Sequence, residues 1–185
     1  LHLLLWQKKN LMYKIIITVI YILMQTTMLS QAQSETNPLS FMFGTWKGRG
    51  IISSPEGKKE TDITEQVSSK LNGSIVVVEG LGTRTDASTG QKQVVHDAFG
   101  ILTQDKTTKR WMMRAYRNDE VIDVEVTFVA AHTIRWEMPL PHNAGNMRFT
   151  TDFSEPRTWK GTGEYSRDGK EWMVVMETNL TKVGE

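Results

Sequence analysis

From Gly44 onward, apolar and polar residues alternate with a period of two, which is the period of a β-strand with one buried face. Residues that favour turns recur about every 8–15 positions and separate about ten candidate strands. No segment has the pattern of a long amphipathic helix, and only residues 38–43 are expected to form a helical turn, before the first strand. Short hairpin-linked strands predict an all-β sandwich or barrel, and we favour an up-and-down antiparallel barrel of about ten strands.

Two hairpins allow the inner face to be predicted from pairing register. A two-residue turn at Asn118 and Asp119 would set Trp111 opposite Val126 on an apolar face. A four-residue loop 106–109 would place His96 on the same inner face, although a slip of one residue reverses this side.

The second hairpin is expected at Asp168 and Gly169, where a two-residue turn would pair Tyr165 with Trp172 and Lys160 with Glu177. Both hairpins then place aromatic side chains inside and an opposite-charge pair outside. In the first hairpin this outer pair is Arg114 and Asp123. The predicted core contains five tryptophans: Trp46, Trp111, Trp136, Trp159 and Trp172.

Residues 1–34 have the three-part layout of a secretory signal peptide. Three lysines and no acidic residue accompany the apolar run 15–24, and small residues follow at 30–32. This run is shorter than the roughly 20 residues that a membrane-spanning helix needs. We therefore expect cleavage after Ala32 or Ser34, a conventional start at Met12, and one β domain over residues 35–185. An uncleaved membrane anchor is the alternative.

Composition excludes several classes of function. Without residues 1–34, Lys+Arg falls from 22 to 19 while Asp+Glu stays at 21, so the net charge changes from +1 to −2. No basic cluster remains, which argues against a nucleic-acid partner. The absence of cysteine excludes disulfides, thiolate metal sites and lipid-modified export signals. A secreted or periplasmic protein is expected, in contact with a membrane only during export.

The start of the first strand resembles that of the calycins, the group of lipocalins and fatty-acid-binding proteins. Gly44 and Trp46 form a Gly-x-Trp motif after the expected helical turn. The resemblance implies that Trp46 closes one end of a barrel, with Lys182 packed over it. Together with His96-Asp97-Ala98 and the run 163–172, this motif is similar to an uncharacterised bacterial family of calycin-like exported proteins, a domain of unknown function. The likeness spans about residues 38–183 and implies no established reaction.

Two polar residues stand out against the predicted inner face. Glu65 interrupts Ile63, Val67 and Leu71, and an unpaired buried carboxylate requires a partner, a raised pKa or a ligand. A position at the barrel rim is the alternative. The side of Glu79 depends on whether the loop at Asn72 has two or three residues.

We therefore expect a binding protein for a small apolar or amphipathic ligand held inside the barrel. The predicted ligand-binding residues are Glu65, His96, Trp111, Trp136 and Tyr165, and the loop 139–146 is expected to lie at the mouth. One alternative is a structural or interaction domain with a filled core, and another is an enzyme that pairs Glu65 with His96.

No catalytic or metal-binding motif is present, so a binding protein is favoured over an enzyme and no cofactor is predicted. Some small calycin-like barrels bind haem through one histidine, and His96 is the candidate ligand for a haem group here, a less favoured alternative. His132 and His142 are expected in turns.

Overall fold

The two-residue alternation is realised as ten antiparallel strands that close into one barrel. The computed structural model describes residues 37–184. The predicted signal peptide, residues 1–34, lies outside the described residues. The strands are β1 (Gly44–Ser54), β2 (Gly57–Lys70), β3 (Ile75–Thr85), β4 (Lys92–Gln104), β5 (Trp111–Arg117), β6 (Glu120–Ala130), β7 (Thr133–Pro139), β8 (Asn146–Asp152), β9 (Thr158–Ser166) and β10 (Met173–Gly184). Short 3-10 turns occur at Ser40–Met42, Leu71–Gly73 and Pro141–Asn143.

Each strand pairs with the next in the chain, and β10 closes the wall by pairing with β1. The expected up-and-down barrel is therefore confirmed, and so is the helical turn before β1. Because hairpins alternate between two ends, we call the end where β1 begins the N-terminal end and the opposite end the distal end. The distal end carries the loops 55–56, 86–91, 118–119, 140–145 and 167–172.

The ladder between β6 and β7 is the shortest in the wall. It comprises three residue pairs, from Thr127 with Arg135 to Ala130 with Thr133, all near the N-terminal end. By comparison, β1 and β2 are paired over eleven residues. Toward the distal end, β6 and β7 therefore share no described ladder.

The predicted β5–β6 register is confirmed, with Trp111 opposite Val126 and Arg114 opposite Asp123. The neighbouring loop also gives the predicted pairing, with Leu102 opposite Met113. This register places the apolar residues of both strands on the inner face, as the alternation predicts.

The predicted β9–β10 register is wrong. Tyr165 pairs with Met173 rather than Trp172, and Lys160 pairs with Asn179 rather than Glu177. The strands are joined by the loop 167–172 instead of a two-residue turn.

Side-chain oxygens explain this longer loop. The Ser166 hydroxyl oxygen accepts a hydrogen bond from the Gly169 N–H at 2.9 Å. One Asp168 carboxylate oxygen accepts from the Lys170 N–H at 2.9 Å. These local acceptors satisfy backbone groups that a tight turn would have paired across the hairpin.

The loop between β2 and β3 contains four residues, 71–74, because Lys70 pairs with Ile75. Both lengths considered from the sequence are therefore wrong. Asn72 adopts a left-handed backbone conformation with φ 59°, which asparagine tolerates better than most residues. The resulting register turns Glu65 inward opposite Gly80 and leaves Glu79 exposed on the outer face.

Candidate functional site

The N-terminal end of the barrel is closed by the Ser40–Met42 turn and Trp46. The Trp46 indole N–H donates to the Met42 carbonyl oxygen at 2.8 Å. Phe41 packs against Phe153, with ring centroids 5.3 Å apart. The buried cluster at this end contains Leu39, Met42, Trp46, Val67, Val76, Leu102, Trp111, Val126, Ile134, Phe153, Trp159 and Leu180. This end is therefore packed with side chains.

Lys182 lies beside Trp46, as the sequence resemblance implies. The two residues are paired across β1 and β10. The Lys182 Nζ lies 5.9 Å from the centroid of the Trp46 ring, which is within cation–π range.

The distal half of the interior differs because many of its inward side chains remain partly accessible, although Thr61 and Val124 are buried. Inward positions follow from the register, since directly paired residues share one face of a sheet. The partly accessible inward residues are Ile63, Glu65, Val78, His96, Ala98, Met113, Ala115, Ile122, Trp136, Met138, Met147, Phe149, Tyr165, Met176 and Thr178. The side chains of these residues point toward the barrel interior and its distal mouth. The distal half is therefore open, whereas the N-terminal half is filled.

One wall of the open half is aromatic. Trp136 on β7 stacks on Phe149 of β8, with ring centroids 5.4 Å apart and planes inclined by 17°. Met138 and Met147 form the next inward pair toward the distal end. These flat and polarizable side chains form an adaptable apolar surface.

Glu65 lies on the inner face between Trp46 of β1 and Gly80 of β3. A Cβ atom at Gly80 would lie 2.8 Å from Glu65 Oε2, so the carboxyl group rests on the bare backbone of that glycine. The carboxyl group makes no hydrogen bond or ion pair with residues 37–184. Burial raises its pKa to about 8, so this carboxyl group is mostly protonated at neutral pH.

His96 lies on the inner face of β4 opposite Gly82. A Cβ atom at Gly82 would come within 2.9 Å of the His96 Cβ. Burial lowers the pKa of the imidazole, the positive charge of Arg117 lowers it further, and Asp97 acts in the opposite direction. His96 is therefore neutral at neutral pH.

Glu65 and His96 share the inner face, but the structure does not join them as an acid–base pair. Gly80 and Gly82 of β3 lie between their strands, and no hydrogen bond links the two side chains. Neither residue contributes to the pKa shift of the other. Two polar groups at separate places suit ligand contacts better than a joint catalytic role.

Tyr165 connects the inner face to the loop at the mouth. Its hydroxyl donates to the Ala144 carbonyl oxygen at 2.8 Å. Within the loop, the Leu140 N–H donates to the Gly145 carbonyl oxygen at 2.8 Å. The loop 140–145 is therefore a hydrogen-bonded turn at the distal end, next to the open half.

The predicted tryptophans occupy three different places. Trp136 lines the open half, whereas Trp111 is buried in the packed cluster. Trp172 does not belong to the inner face, and that prediction is wrong because of the β9–β10 register. It stacks instead over the guanidinium of Arg148, 4.1 Å from the ring centroid, on the side where Arg148 pairs with Glu164 at 2.8 Å.

The sequence analysis missed the glycines that make room inside the barrel. Gly80, Gly82, Gly100 and Gly163 face inward, where a side chain would otherwise fill the space. Alternate glycines at 80 and 82 on one strand are a signal available in the sequence, because they remove two adjacent side chains from one face.

A separate groove of about 380 Å³ lies on the outer wall over β4, β5 and β6. Its lining includes Met112, Tyr116 and the exposed pair of Arg114 and Asp123. It does not communicate with the inward residues described above, because its lining residues alternate with them along each strand.

Residues 37–184 contain no grouping of three or more acidic or histidine side chains suited to a metal ion. No helical segment within the same range has the length and hydropathy required to cross a membrane.

The fold is similar to that of Rv2717c from M. tuberculosis. The two structures superpose with a TM-score of 0.55 over 82% of this chain and 98% of that chain, at 12% sequence identity. A protein of unknown function from the DUF3598 family of Nostoc punctiforme aligns over 83% of this chain and 100% of its own, at 9% identity and a TM-score of 0.30, which is too low to support an argument. No protein-family model and no curated protein matches the chain by sequence. The likeness to Rv2717c therefore shows a shared fold.

Proposed function

We propose that the protein binds a small apolar or amphipathic molecule in the open distal half of its barrel. The observation that carries this proposal is the partial accessibility of inward side chains around Glu65, Trp136 and Phe149, in a barrel whose other half is packed. Ligand pockets are commonly apolar and aromatic with a few placed polar groups. Glu65 and His96 would provide the polar contacts, and Tyr165 would hold the mouth loop.

Titration calorimetry with naphthalene derivatives tests this proposal, because a flat aromatic body matches the Trp136–Phe149 wall. We expect saturable binding to the wild-type protein and at least about tenfold weaker binding to Trp136→Ala. Trp172→Ala is the matched control, because this tryptophan lies outside the interior and its removal should leave binding unchanged. Equal losses in both variants, or no binding to the wild type, would argue against an interior site.

We also propose that the protein is exported, to a periplasm or to the outside of the cell. The lysines, apolar run and small residues of segment 1–34 support this proposal. Amino-terminal sequencing of the protein recovered from its own host should show a chain that starts just after Ala32 or Ser34. Recovery of a chain that retains residues 15–24 would contradict cleavage.

A calycin-like relationship is a further part of the proposal. It is supported by Trp46, which closes the N-terminal end, and by Lys182 at its ring. Because Trp46 is 2% exposed and central to the packed cluster, Trp46→Ala should lower the unfolding free energy by roughly 3–5 kcal/mol.

Haem is the second candidate ligand, and the inward position of His96 is the observation that favours it. A neutral imidazole at an open interior can ligate iron through its free nitrogen. Titration with haem would then give a Soret band that shifts on binding and is lost in His96→Ala. An unchanged spectrum in that variant would exclude His96 as the ligand.

A further inference from the structure

We propose that Glu65 binds the protonated nitrogen of a ligand whose apolar part lies against the Trp136–Phe149 wall, which makes the ligand an amphipathic amine. This inference rests on the proposed function, because it names the chemical class of the molecule in the same interior. It is argued from the position of the Glu65 carboxyl group, from its lack of a hydrogen-bond partner among residues 37–184, and from the charged residues around it.

The Glu65 carboxyl group lies over the backbone of Gly80, in space that a side chain at position 80 would otherwise fill. Its oxygens lie at 2.8 and 2.9 Å from the position of a Cβ that Gly80 lacks. Beyond Gly80, the next inward neighbour in the same row is Ala98, which is also small and partly accessible. No wholly buried side-chain oxygen among residues 37–184 lacks a hydrogen-bond partner, so the unpaired oxygens of Glu65 retain accessible surface.

The charged groups nearest in the same row lie on either side of this space. Lys182 lies beyond Trp46, where its Cε would contact a Cβ at Gly44. Arg117 lies beyond Ala98 on β5, near the distal end. Neither these two residues nor His96 affects the pKa of Glu65. The interior therefore offers an acidic group that forms no ion pair with residues 37–184.

A carboxyl group in this position complements a cation with N–H donors. When ionised, it has two acceptor oxygens and no donor, and an ammonium group supplies both the charge and the hydrogen bonds. A carboxylate ligand would lose hydration in this partly desolvated site without gaining an opposite charge there. Since burial keeps the empty site protonated, binding of an ammonium ion at pH 7 should release about one proton.

Three probes with the same ring system separate the possibilities: naphthylmethylamine, naphthalenemethanol and naphthoate. By calorimetry with the mature protein at pH 7, we expect the amine to bind at least about tenfold more tightly than the other two. If the alcohol or the carboxylate binds as tightly as the amine, the assignment of an amine is overturned while ligand binding stands. If none of the three binds, the proposed function fails as well.

Two variants locate the effect. Glu65→Gln keeps the shape of the protonated side chain, so it should fold and lose the preference for the amine over the alcohol. Glu79→Gln is the matched control, because this glutamate is exposed on the outer face of β3. Titrations of the amine in phosphate and in Tris should show release of about one proton for wild type and Glu79→Gln and none for Glu65→Gln. Persistence of the amine preference or of proton release in Glu65→Gln would contradict the inference.

Discussion

The effect of Glu65 on the stability of the fold depends on whether its carboxyl group is protonated. Its carboxyl group is withdrawn from water without a partner in the described chain, so ionisation inside the barrel is opposed by lost hydration. In the unfolded chain the same group titrates normally, near 4.5. Retaining such a group at an inward position is easier to explain by a ligand than by stability.

This difference predicts how stability changes with pH. The folded pKa is raised, so the stabilising contribution of protonated Glu65 is fully present below about pH 4.5 and is lost as the pH rises to about 8. Relative to wild type, Glu65→Gln should therefore gain stability across this window, by roughly 3–5 kcal/mol in total. Urea unfolding of both proteins at several pH values measures this difference. A difference that does not change with pH would mean that Glu65 is solvated or paired.

Two inward glycines predict opposite responses to alanine. At Gly80, the new methyl group would meet the end of the flexible Glu65 side chain, which can move aside. At Gly48, it would meet the backbone carbonyl of Asn179 on β10, which cannot. We expect Gly80→Ala to change the unfolding free energy by less than about 1 kcal/mol and Gly48→Ala to lower it by roughly 2–3 kcal/mol. Thermal unfolding that ranks them in the reverse order would contradict this placement of the Glu65 carboxyl.

At the scale of elements, the sequence predicts a strand well where the turn is short. The two-residue turn at Asn118 and Asp119 fixes the β5–β6 register, and through it the inward side of Trp111. The side of His96 follows in the same way from its neighbouring loop. Alternation and turn length are local properties, so both can be recognised without knowing the rest of the fold.

The β9–β10 hairpin shows why the remainder could not be predicted. Its loop length is decided by side-chain acceptors at Ser166 and Asp168, and a shift in register occurs between Val174 and Met176. Such irregularities leave no periodic signal in the sequence. The alternation of apolar and polar residues also does not predict that the distal half is open. That openness depends on glycines of separate strands lying next to one another inside the barrel.

The loop 140–145 predicts a local effect of Tyr165→Phe. Removal of the hydroxyl abolishes its hydrogen bond to the Ala144 carbonyl and should cost about 1 kcal/mol of stability. Hydrogen exchange should become faster at the Leu140 and Ala144 amides, while amides at the N-terminal end keep their rates. Uniform acceleration across the barrel would show that Tyr165 supports the whole fold rather than the mouth loop.

At the scale of the molecule, one half of the described barrel interior is packed with side chains and the other half is open. The packed N-terminal half contains the large buried side chains, including Trp46, Trp111 and Trp159. The distal half places glycine and alanine beside partly accessible aromatic residues. A packed end supplies the apolar burial that a fold needs, so the other end is free to hold a ligand.

The central claim is that the distal interior is open, and a cavity-filling substitution tests it directly. Ala98→Phe adds a ring at a partly accessible inward position, opposite Gly80 and on the same face as His96. Val76→Phe adds the same ring to the packed cluster, at a residue with 0% exposure. Urea unfolding of the two variants should show Ala98→Phe within about 1 kcal/mol of wild type and Val76→Phe less stable by roughly 2–3 kcal/mol or more. Equal and large losses of stability in both variants would mean that the distal half is packed and that the barrel has no ligand site.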